Sequence, residues 1–288
     1  MSDESLKTVE RTLALLKAFG RATPELSVSD LVERLAVPRS VVVRMLATLE
    51  KAEFVERVPG NPRLFRIGLG AGEVGSLYFL GHPLMREAED VLRGLAERTG
   101  FTAYLGTIHG AEAVILALRE GRMPVRFIWQ AGQRLPVATT SFGKAMLMHM
   151  EREQVDRMLG CGPLAGLTEG SVRTRAELEA QLACWVGKGW VPAFEESFPG
   201  VHAVGAALLD PQGAPVAGIS LSFLRNPADP AQVETMGSAV LEAARTISRR
   251  LGLCEAYGHH GLGELLPRHE AAPARLHLTA PHNEEALT

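Results

Sequence analysis

The stretch from Leu26 to Gly68 constrains what this chain can fold into more than any other part of the sequence. Its first apolar residues recur with helical spacing on one face of a short helix: Val28, Leu31 and Leu35. Ser27 and Asp30 have the spacing of a capping box, with Asp in the position that Glu usually takes, which marks the start of this helix. Pro38 ends it and is compatible with the first turn of a following helix, where its missing N–H is not needed.

A second helix is predicted from Arg39 to Lys51. Its apolar stripe consists of Val42, Met45, Leu46 and Leu49. The opposite face carries Ser40, Val43, Arg44 and Ala47. Two short helices joined by the tight connection Ala36–Pro38 are typical of a helix-turn-helix.

The residues after the second helix predict a β-hairpin, with strands at Phe54–Val58 and Arg63–Ile67 and a turn at Pro59–Pro62. A hairpin directly after a helix-turn-helix is a wing. Between Arg34 and Arg66 there are seven basic and three acidic residues, so the segment carries +4 while the whole chain carries −3. Positive charge is therefore concentrated in this segment.

Basic residues on a helix and a wing can bind the phosphates of a nucleic acid, so the segment predicts nucleic-acid binding. The candidate contacts are Arg39, Ser40, Val43 and Arg44 on the second helix and Arg57 and Arg63 in the wing. We expect Arg44 to enter the major groove and at least Arg57 or Arg63 to contact phosphate. The alternative is a small helical domain whose charged face is merely solvated.

The bulk properties exclude several classes of protein. A hydrophobic content of 46% and a charged content of 22% are those of a soluble globular protein, and 288 residues suffice for two domains. No apolar run approaches the roughly 18 residues that span a bilayer, and the charged N-terminus lacks the apolar core of a signal peptide. Cys161, Cys184 and Cys254 are odd in number and scattered, which predicts a reduced, cytoplasmic protein. The mild net acidity argues against a general nucleic-acid coat protein.

A helix is also predicted upstream, ending at Gly20. Its apolar residues have helical spacing: Leu6, Val9, Leu13, Leu16 and Phe19. This helix would bury the back of the helix-turn-helix.

Glycines after the wing offer a rival function, because they satisfy the dinucleotide fingerprint G-x-G-x-x-G: Gly70, Gly72 and Gly75. The expected acidic residue, Glu89 or Asp90, falls inside a long amphipathic helix, Pro83–Arg98, instead of at the end of a second strand. The preceding strand already belongs to the wing. We therefore favour a linker helix from Glu73 to Leu80 and keep a nucleotide site as an alternative.

The second half of the chain predicts strands alternating with helices. Strands are predicted at Thr102–Ile108, Ala113–Ala117, Val125–Trp129, Ala203–Asp210 and Val216–Phe223, with a hairpin turn at His109-Gly110. Helices are predicted at Phe142–Met150 and Ala176–Gly187. An antiparallel sheet flanked by helices, an α+β fold, accounts for this pattern.

A last long helix is predicted to start with Asp229 as cap and Pro230 in the first position, and to stop at Gly252. Its stripe is Val233, Met236, Val240, Ala244, Ile247 and Leu251. From Tyr257 onward no period is sustained, which predicts a disordered tail. The expected domains are a winged helix-turn-helix over residues 1–70, a linker and dimerisation helix over 71–82, an effector-binding domain over 83–254 and a tail over 255–288.

Three stretches are specific enough to compare with a known protein family: PRSVVVRMLATLEKAEFVER, AGQRLPVATTSFGKAML and KGWVPAFEESFPGVHAVGAALLDPQGAPVAGISLS. With them the chain resembles the isocitrate lyase regulator (IclR) family of bacterial transcription factors, over roughly residues 5–252. The resemblance implies a winged helix-turn-helix, a linker helix that pairs subunits and a C-terminal effector domain of the GAF or profilin-like type. It also implies dimers or dimers of dimers, and small carboxylic or aromatic acids as effectors.

The chain departs from the family pattern in both halves. At the head of the recognition helix the family commonly has Ser-Thr-Val, then His or Tyr, then Arg, whereas this chain has the run Ser40–Arg44, SVVVR. Fewer hydrogen bonds to DNA are expected, and Val43 is suited to touch a thymine methyl. In the effector domain a position that often holds Cys is Ala203, and an upstream acidic position corresponds to Ala193. We therefore expect ligand contacts unlike those of glyoxylate.

Two other patterns suggest chemistry that the rest of the sequence does not support. Ser141 and Lys144 have the S-x-x-K spacing of penicillin-recognising enzymes, but the supporting S-D-N and K-T-G strings do not occur in the sequence. Five of the nine histidines lie in the predicted tail, so no metal site is predicted. His202 is either an outward-facing strand residue, which we favour, or a ligand contact.

The effector site is expected between the loop Leu135–Gly143 and the strand pair, because Ser220 and Ser222 share one strand face. The candidate effector-binding residues are Trp129, Leu135, Ser141, Phe142, Gly143, Val201, Ala203, Ser220 and Ser222. The sequence thus predicts a non-catalytic, cofactor-free transcriptional regulator of a catabolic or metabolic operon. Its expected partners are double-stranded DNA with a pseudo-palindromic operator, a small organic acid and a second copy of itself, and no membrane. A signalling module that binds protein instead of DNA remains a further alternative.

Overall fold

The computed structural model describes residues 6–20, 23–124, 129–224 and 231–253. It consists of two compact units, with the boundary between His82 and Pro83. Each unit has its own hydrophobic core. No helix among the described residues is long and apolar enough to cross a membrane.

The N-terminal unit is a winged helix-turn-helix. Its elements are α1 (Lys7–Ala18), β1 (Leu26–Ser27), α2 (Val28–Leu35), α3 (Arg39–Lys51), β2 (Val55–Val58), β3 (Asn61–Ile67) and α4 (Leu69–Gly81). The three strands form an antiparallel sheet in the order β1-β3-β2. The predicted helix-turn-helix, hairpin and linker helix are therefore all present.

Local signals in the sequence account for the start of α2 and the turn after it. The Ser27 hydroxyl accepts from the Asp30 N–H at 3.2 Å, and the Asp30 carboxylate accepts from the Ser27 N–H at 2.7 Å, which confirms the capping box. Ala36 ends the helix in the left-handed conformation, with φ 51°. Pro38 occupies the N-cap of α3, one residue before the position that the sequence suggested.

The predicted apolar stripe of the first helix is wrong in its first half. Leu6, Val9 and Leu13 are 72%, 50% and 52% exposed, whereas Leu15 is fully buried. Only the C-terminal end of α1 meets the core made by α2, α3 and the wing, where Leu16 and Phe19 also pack. Helical spacing alone does not reveal how much of a helix the core reaches.

Of the three glycines that suggested a dinucleotide site only Gly70 has a structural reason in the wing, which it shares with Gly68, whereas a Cβ on Gly72 or Gly75 would meet nothing within 4 Å. A Cβ on Gly68 would collide with the carbonyl oxygen of Glu53, and one on Gly70 would lie 2.9 Å from the carbonyl oxygen of Ala52. The start of α4 therefore runs against the backbone of the turn after α3, where only glycine fits. The strand before this fingerprint, β3, is paired antiparallel in the wing.

The C-terminal unit has an α+β fold, as predicted. Its helices are α5 (Pro83–Thr99), α6 (Ser141–Leu147), α7 (Arg152–Leu159), α8 (Arg175–Ala183) and α9 (Gln232–Arg250), with a short 3-10 helix at Val137–Thr139. Its strands are β4 (Thr102–His109), β5 (Glu112–Arg119), β6 (Arg134–Pro136), β7 (Val191–Phe194), β8 (Val201–Leu209) and β9 (Pro215–Leu224). They form an antiparallel sheet in the order β6-β5-β4-β9-β8-β7.

The two faces of this sheet carry different helices. Helices α5 and α9 pack on one face, and the residues of α6, α7 and α8 pack on the other. We call the second one the α6 face. Alternate residues of β4, β8 and β9 supply the two cores, so these central strands are buried on both sides, as their apolar runs require.

Several predicted boundaries differ from the structure. Helix α6 ends at Leu147 instead of Met150, and β6, β7 and α7 were not predicted. The strand predicted at Val125–Trp129 falls largely on residues 125–128, outside the described residues, and Trp129 itself is not in a strand. The predicted cap of α9, at residues 229–230, and the tail over 255–288 also lie outside the described residues. Very short edge strands such as β6 give no sustained alternation from which to predict them.

Three glycines allow α6 to lie directly on the sheet. A Cβ on Gly106, Gly205 or Gly218 would overlap Phe142, and one on Gly205 would also meet the backbone of Ser141. These glycines lie on β4, β8 and β9, which are neighbours in the sheet. The first turn of α6 is thus seated in a depression of the sheet that only glycine can provide.

Replacing Gly205 with Ala should therefore destabilise the effector domain. We expect a loss of about 1–3 kcal/mol in the free energy of unfolding, because the added methyl overpacks a backbone contact. Urea unfolding of the full chain measures it. Gly162→Ala is the matched control, since a Cβ there meets nothing within 4 Å, and it should change stability by less than about 0.5 kcal/mol. Equal stability of the two variants would contradict the close approach.

Candidate DNA-binding and effector-binding sites

The outer face of α3 is exposed over its first two turns. Arg39, Ser40, Val43 and Arg44 are all exposed, while Val42 and the rest of the apolar stripe are buried. The Arg39 guanidinium donates to the Ser29 hydroxyl at 3.3 Å, and the Arg44 guanidinium has no hydrogen-bond partner among the described residues. The structure thus brings the four helix candidates together on one solvent-facing surface.

The two wing candidates differ in what surrounds them. Arg57 pairs with Glu50 at 2.8 Å, donates to the carbonyl oxygen of Pro62 at 2.6 Å and stacks over Phe65 at 4.7 Å. Arg63 is exposed, and its guanidinium has no ion pair or hydrogen bond to any described residue. Arg57 therefore holds the wing against α3, whereas Arg63 is available to a phosphate.

The predicted effector site lies on the α6 face of the sheet. Register places Ser222 between Thr102 and Ala203, and Ala203 is in turn paired with Ala193. We call this row of four, across β4, β9, β8 and β7, the pocket row. The neighbouring row contains Tyr104, Ser220 and Gly205. Ser220 is 3% exposed, and Ser222 and Ala203 are half-buried, so the pocket row is the more open of the two.

The first turn of α6 meets this surface. Thr140 caps the helix by accepting from the Gly143 N–H at 3.2 Å. The Ser141 backbone lies over Gly205, and Gly205 is the cross-strand partner of Ser220. Both serines belong to the candidate effector-binding residues, and the structure places them on elements that are in contact.

Three other candidate residues lie in the packed core or away from the pocket row. Phe142 is 2% exposed and fills the depression under α6, so it is packed core more than pocket wall. Leu135 is paired with Ala113 at the opposite edge of the sheet from β7. Val201 is 7% exposed at the start of β8 and shares the face of Ala203.

Trp129 is connected to the row next to the pocket row by a hydrogen bond to Tyr104. Its backbone N–H donates to the Tyr104 hydroxyl oxygen at 3.2 Å. Burial raises the pKa of Tyr104 to about 12, although this hydrogen bond acts in the opposite direction. The phenol therefore stays protonated at neutral pH.

His202 points away from the proposed pocket, but it packs against aromatic rings on the other face of the sheet and its side chain is only 14% exposed, so the outward-facing position favoured from the sequence is wrong. Its ring lies 5.1 Å from that of Phe194 and 6.2 Å from that of Phe223, and Phe223 belongs to the core beneath α5 and α9. Its Nε2 is 3.8 Å from the Glu195 carboxylate. Among the described residues no group of three His, Cys, Asp or Glu residues could hold a metal ion.

Sequence reasoning missed a buried charged cluster behind α6. The Lys144 ammonium is 2.6 Å from Glu196 Oε1 and 2.8 Å from Gln181 Oε1, and both charged side chains are essentially inaccessible. Burial lowers the pKa of Lys144, and the ion pair with Glu196 opposes that shift. The S-x-x-K spacing drew attention to Lys144, but its partner lies 52 residues further along the chain, where no local pattern identifies it.

Comparison with known proteins identifies the family. Residues 8–59 match the IclR helix-turn-helix domain, and residues 77–249 match the family described as bacterial transcriptional regulator IclR C-terminal. The chain belongs to the IclR family. It is 26% identical over 247 residues to the HTH-type transcriptional regulator XynR of Escherichia coli, covering 86% of this chain and 98% of that protein.

Solved structures have the same fold. A putative IclR regulator from Silicibacter superposes with a TM-score of 0.76 at 25% identity, covering 87% of this chain and 98% of that one. An IclR homologue from Microbacterium hydrocarbonoxydans, solved in complex with 4-hydroxybenzoate, gives a TM-score of 0.73 at 22% identity, covering 85% and 99%. The protein is thus an HTH-type transcriptional regulator and not an enzyme, and Ser141 and Lys144 are not a catalytic pair.

Loss of Arg44 and loss of Arg63 should have different consequences for DNA binding. Arg44→Ala should weaken operator binding by about 1–3 kcal/mol and relax the preference at one base position, because a base contact is lost. Arg63→Ala should weaken binding to all sequences alike and reduce the slope of log K against log salt by about one, because a phosphate contact is lost. Fluorescence anisotropy with an operator selected from random DNA measures both.

A matched wing variant provides the control for Arg63. Arg66 pairs with Glu56 at 2.6 Å, so the double variant Arg66→Gln with Glu56→Gln removes a cation without changing net charge. Its salt slope should equal that of the unchanged protein. Unaltered binding by both Arg44→Ala and Arg63→Ala would show that DNA is contacted elsewhere.

Proposed function

We propose that this regulator binds a pseudo-palindromic operator as a homodimer, or as a dimer of dimers, and acts in the cytoplasm on a catabolic or metabolic operon. A small organic acid bound on the α6 face changes its affinity for that operator. The exposed face of α3 together with Arg63 supports DNA contact. Ligand can alter operator affinity only through a preference for one arrangement of the protein, so the coupling must be reciprocal.

The observation that carries the effector site is a set of hydroxyls that are free to bind a ligand. Ser141 and Ser220 are 2% and 3% exposed, and Ser222 is half-buried, yet none of the three hydroxyls has a hydrogen-bond partner among the described residues. None of the three oxygens is among the fully enclosed atoms without a partner, so each keeps an accessible surface at which a ligand can pair with it. A few polar groups on an otherwise apolar concave surface are what ligand sites offer.

The chemistry of the pocket row favours an acid other than glyoxylate. Ala193 and Ala203 stand where the family often has an acidic residue and a cysteine, so the row offers methyl groups and the hydroxyls of Thr102 and Ser222. The homologue from Microbacterium was solved with 4-hydroxybenzoate, an aromatic acid. We therefore propose aromatic or other small carboxylic acids as the effector class.

Association is proposed to occur through α4, over Glu73–Leu80. Val74, Leu77 and Leu80 are 57%, 66% and 79% exposed. An exposed apolar helix face of this kind marks a protein–protein contact. Two-fold symmetry in the protein requires two-fold symmetry in the operator.

Leu77→Asp should dissociate the dimer, because a carboxylate would be buried in an apolar contact. Leu77→Met, which keeps the surface apolar, should leave the mass unchanged. Light scattering of both variants and of the unaltered protein measures the oligomeric state. A monomeric unaltered protein would reject this part of the proposal.

Ser220→Ala combined with Ser222→Ala should abolish the effector response and leave operator affinity without effector near its original value. The reason is that both hydroxyls serve the ligand and not the fold. Ser248→Ala is the control, since its hydroxyl is also buried without a described partner but lies on α9, at the other face of the sheet. Anisotropy titration of operator with and without an acid that shifts the melting temperature is the measurement. A full response in the double variant would place the ligand elsewhere.

The protein-binding alternative makes a different prediction for DNA. A module that recognises only protein would show no salt-dependent operator affinity. The same titrations therefore separate the two functions.

A further inference from the structure

The buried cluster behind α6 leaves one oxygen atom without a partner. Glu196 Oε1 accepts from Lys144 Nζ at 2.6 Å, from Gln181 Nε2 at 3.0 Å and from the Phe194 N–H at 3.1 Å. Glu196 Oε2 accepts from none of the described residues, although the side chain is only 1% exposed. The three donors converge on one oxygen and leave the other to a group from outside the cluster.

An uncompensated carboxylate oxygen in the interior is unfavourable. Buried polar atoms are paired with protein, water or ligand in the great majority of cases, and each exception calls for an explanation. Replacing the cluster by apolar side chains would also be compatible with folding, since buried ion pairs add little net stability. A role in binding explains both the presence of the pair and the unpartnered oxygen.

The position of Glu196 connects it with the pocket row. Its carboxylate binds the Phe194 N–H, the amide directly after Ala193, and Ala193 ends the row on β7. Lys144 lies one turn after Ser141 on α6. The next residue, Ser197, donates to the carbonyl oxygen of Thr139, just before that helix. The cluster therefore stands at the β7 end of the surface that carries the serine hydroxyls.

We propose that Glu196 Oε2 accepts a hydrogen bond from the effector, and that the effector therefore carries a hydroxyl or N–H donor in addition to its acid group. The inference rests on the proposed function, in which the α6 face binds a small acid. Glu196 forms an ion pair with Lys144 at 2.6 Å, and a carboxylate in an ion pair accepts hydrogen bonds but donates none. A ligand with an ether oxygen or a bare C–H at this end leaves the oxygen unpaired, and a ligand with a donor satisfies it.

Binding of matched compounds to the full chain tests the inference. The probes are 4-hydroxybenzoate and 4-aminobenzoate, which carry a donor, and benzoate and 4-methoxybenzoate, which do not. Isothermal titration calorimetry should show about tenfold or greater preference for the donor-bearing compounds, because a site that pairs a buried polar group rejects an analogue that leaves it unpaired.

Glu196→Gln assigns the preference to this residue. The amide keeps one oxygen for Lys144 and presents an NH2 group where Oε2 was, so the preference for 4-hydroxybenzoate over 4-methoxybenzoate should disappear or reverse. Glu195→Gln is the matched control: the same change one residue earlier, where the carboxylate binds the Gly200 N–H instead, should leave the preference intact. If Glu196→Gln alone fails to fold because Lys144 is left unpaired, the double variant with Lys144→Met removes both charges and should also lose the preference.

The outcomes separate this inference from the proposed function. Binding of all four compounds with equal affinity, or a preference that survives in both Glu196 variants, would overturn the assignment to Glu196 and leave the effector role of the domain in place. Loss of the preference in Glu195→Gln as well would also overturn it. Binding of none of the four overturns both this inference and the aromatic-acid effector class, whereas the DNA-binding function is tested separately by the operator titrations.

Discussion

The arrangement of the effector domain depends on the contact between the first turn of α6 and the three glycines beneath it. Gly106, Gly205 and Gly218 remove the side chains that would hold the helix away from the sheet. The helix therefore reaches the sheet with its own backbone, and the Ser141 backbone lies over Gly205, the cross-strand partner of Ser220. Interiors are close-packed and do not deform gradually, so a single methyl group on Gly205 would have to displace the first turn of α6.

The position of α6 on the sheet also determines where the buried charge of Lys144 lies. Lys144 follows Ser141 by one turn and is carried into the interior, where Glu196 and Gln181 meet it. Removal of one member of a buried ion pair costs about 3–5 kcal/mol, whereas replacement of both by apolar residues is often neutral. Stability alone therefore does not require this pair. What the pair does provide is a carboxylate held rigidly at the β7 end of the pocket row, with one oxygen left unpartnered by the described residues.

The sequence predicted those parts of the protein that local patterns encode. The capping box at Ser27 and Asp30, the stripe of α3 and the strands β4, β5, β8 and β9 follow from periodicity and cap chemistry, and all are present. The prediction that the first half of α1 is buried was wrong, because tertiary packing determines how far a core extends along a helix. The pairing of Lys144 with Glu196 was not predictable, since nothing in either neighbourhood indicates a partner 52 residues away. Of the glycines that matched a nucleotide fingerprint, only Gly70 lies against a neighbouring backbone, and a Cβ on Gly72 or Gly75 would meet nothing within 4 Å, which the sequence pattern could not show.

Several basic side chains of the DNA-binding unit already have hydrogen-bond partners within the unit, which lowers the number available to phosphates. Of the seven basic residues between Arg34 and Arg66, four make hydrogen bonds within the unit: Arg34, Arg39, Arg57 and Arg66. Arg44, Lys51 and Arg63 are exposed, and their side chains have no hydrogen-bond partner among the described residues. With Arg44 assigned to a base, Lys51 and Arg63 remain for phosphates. Two phosphate contacts give a slope of roughly −1.8 in log K against log salt for one subunit, and about −3.6 for a symmetric pair, at about −0.9 per phosphate. The sequence count of seven would imply more than three times this dependence. Under the proposed function, the rest of the operator affinity is expected from α3 in the major groove, where the exposed methyl groups of Val43 offer a base contact that salt does not screen.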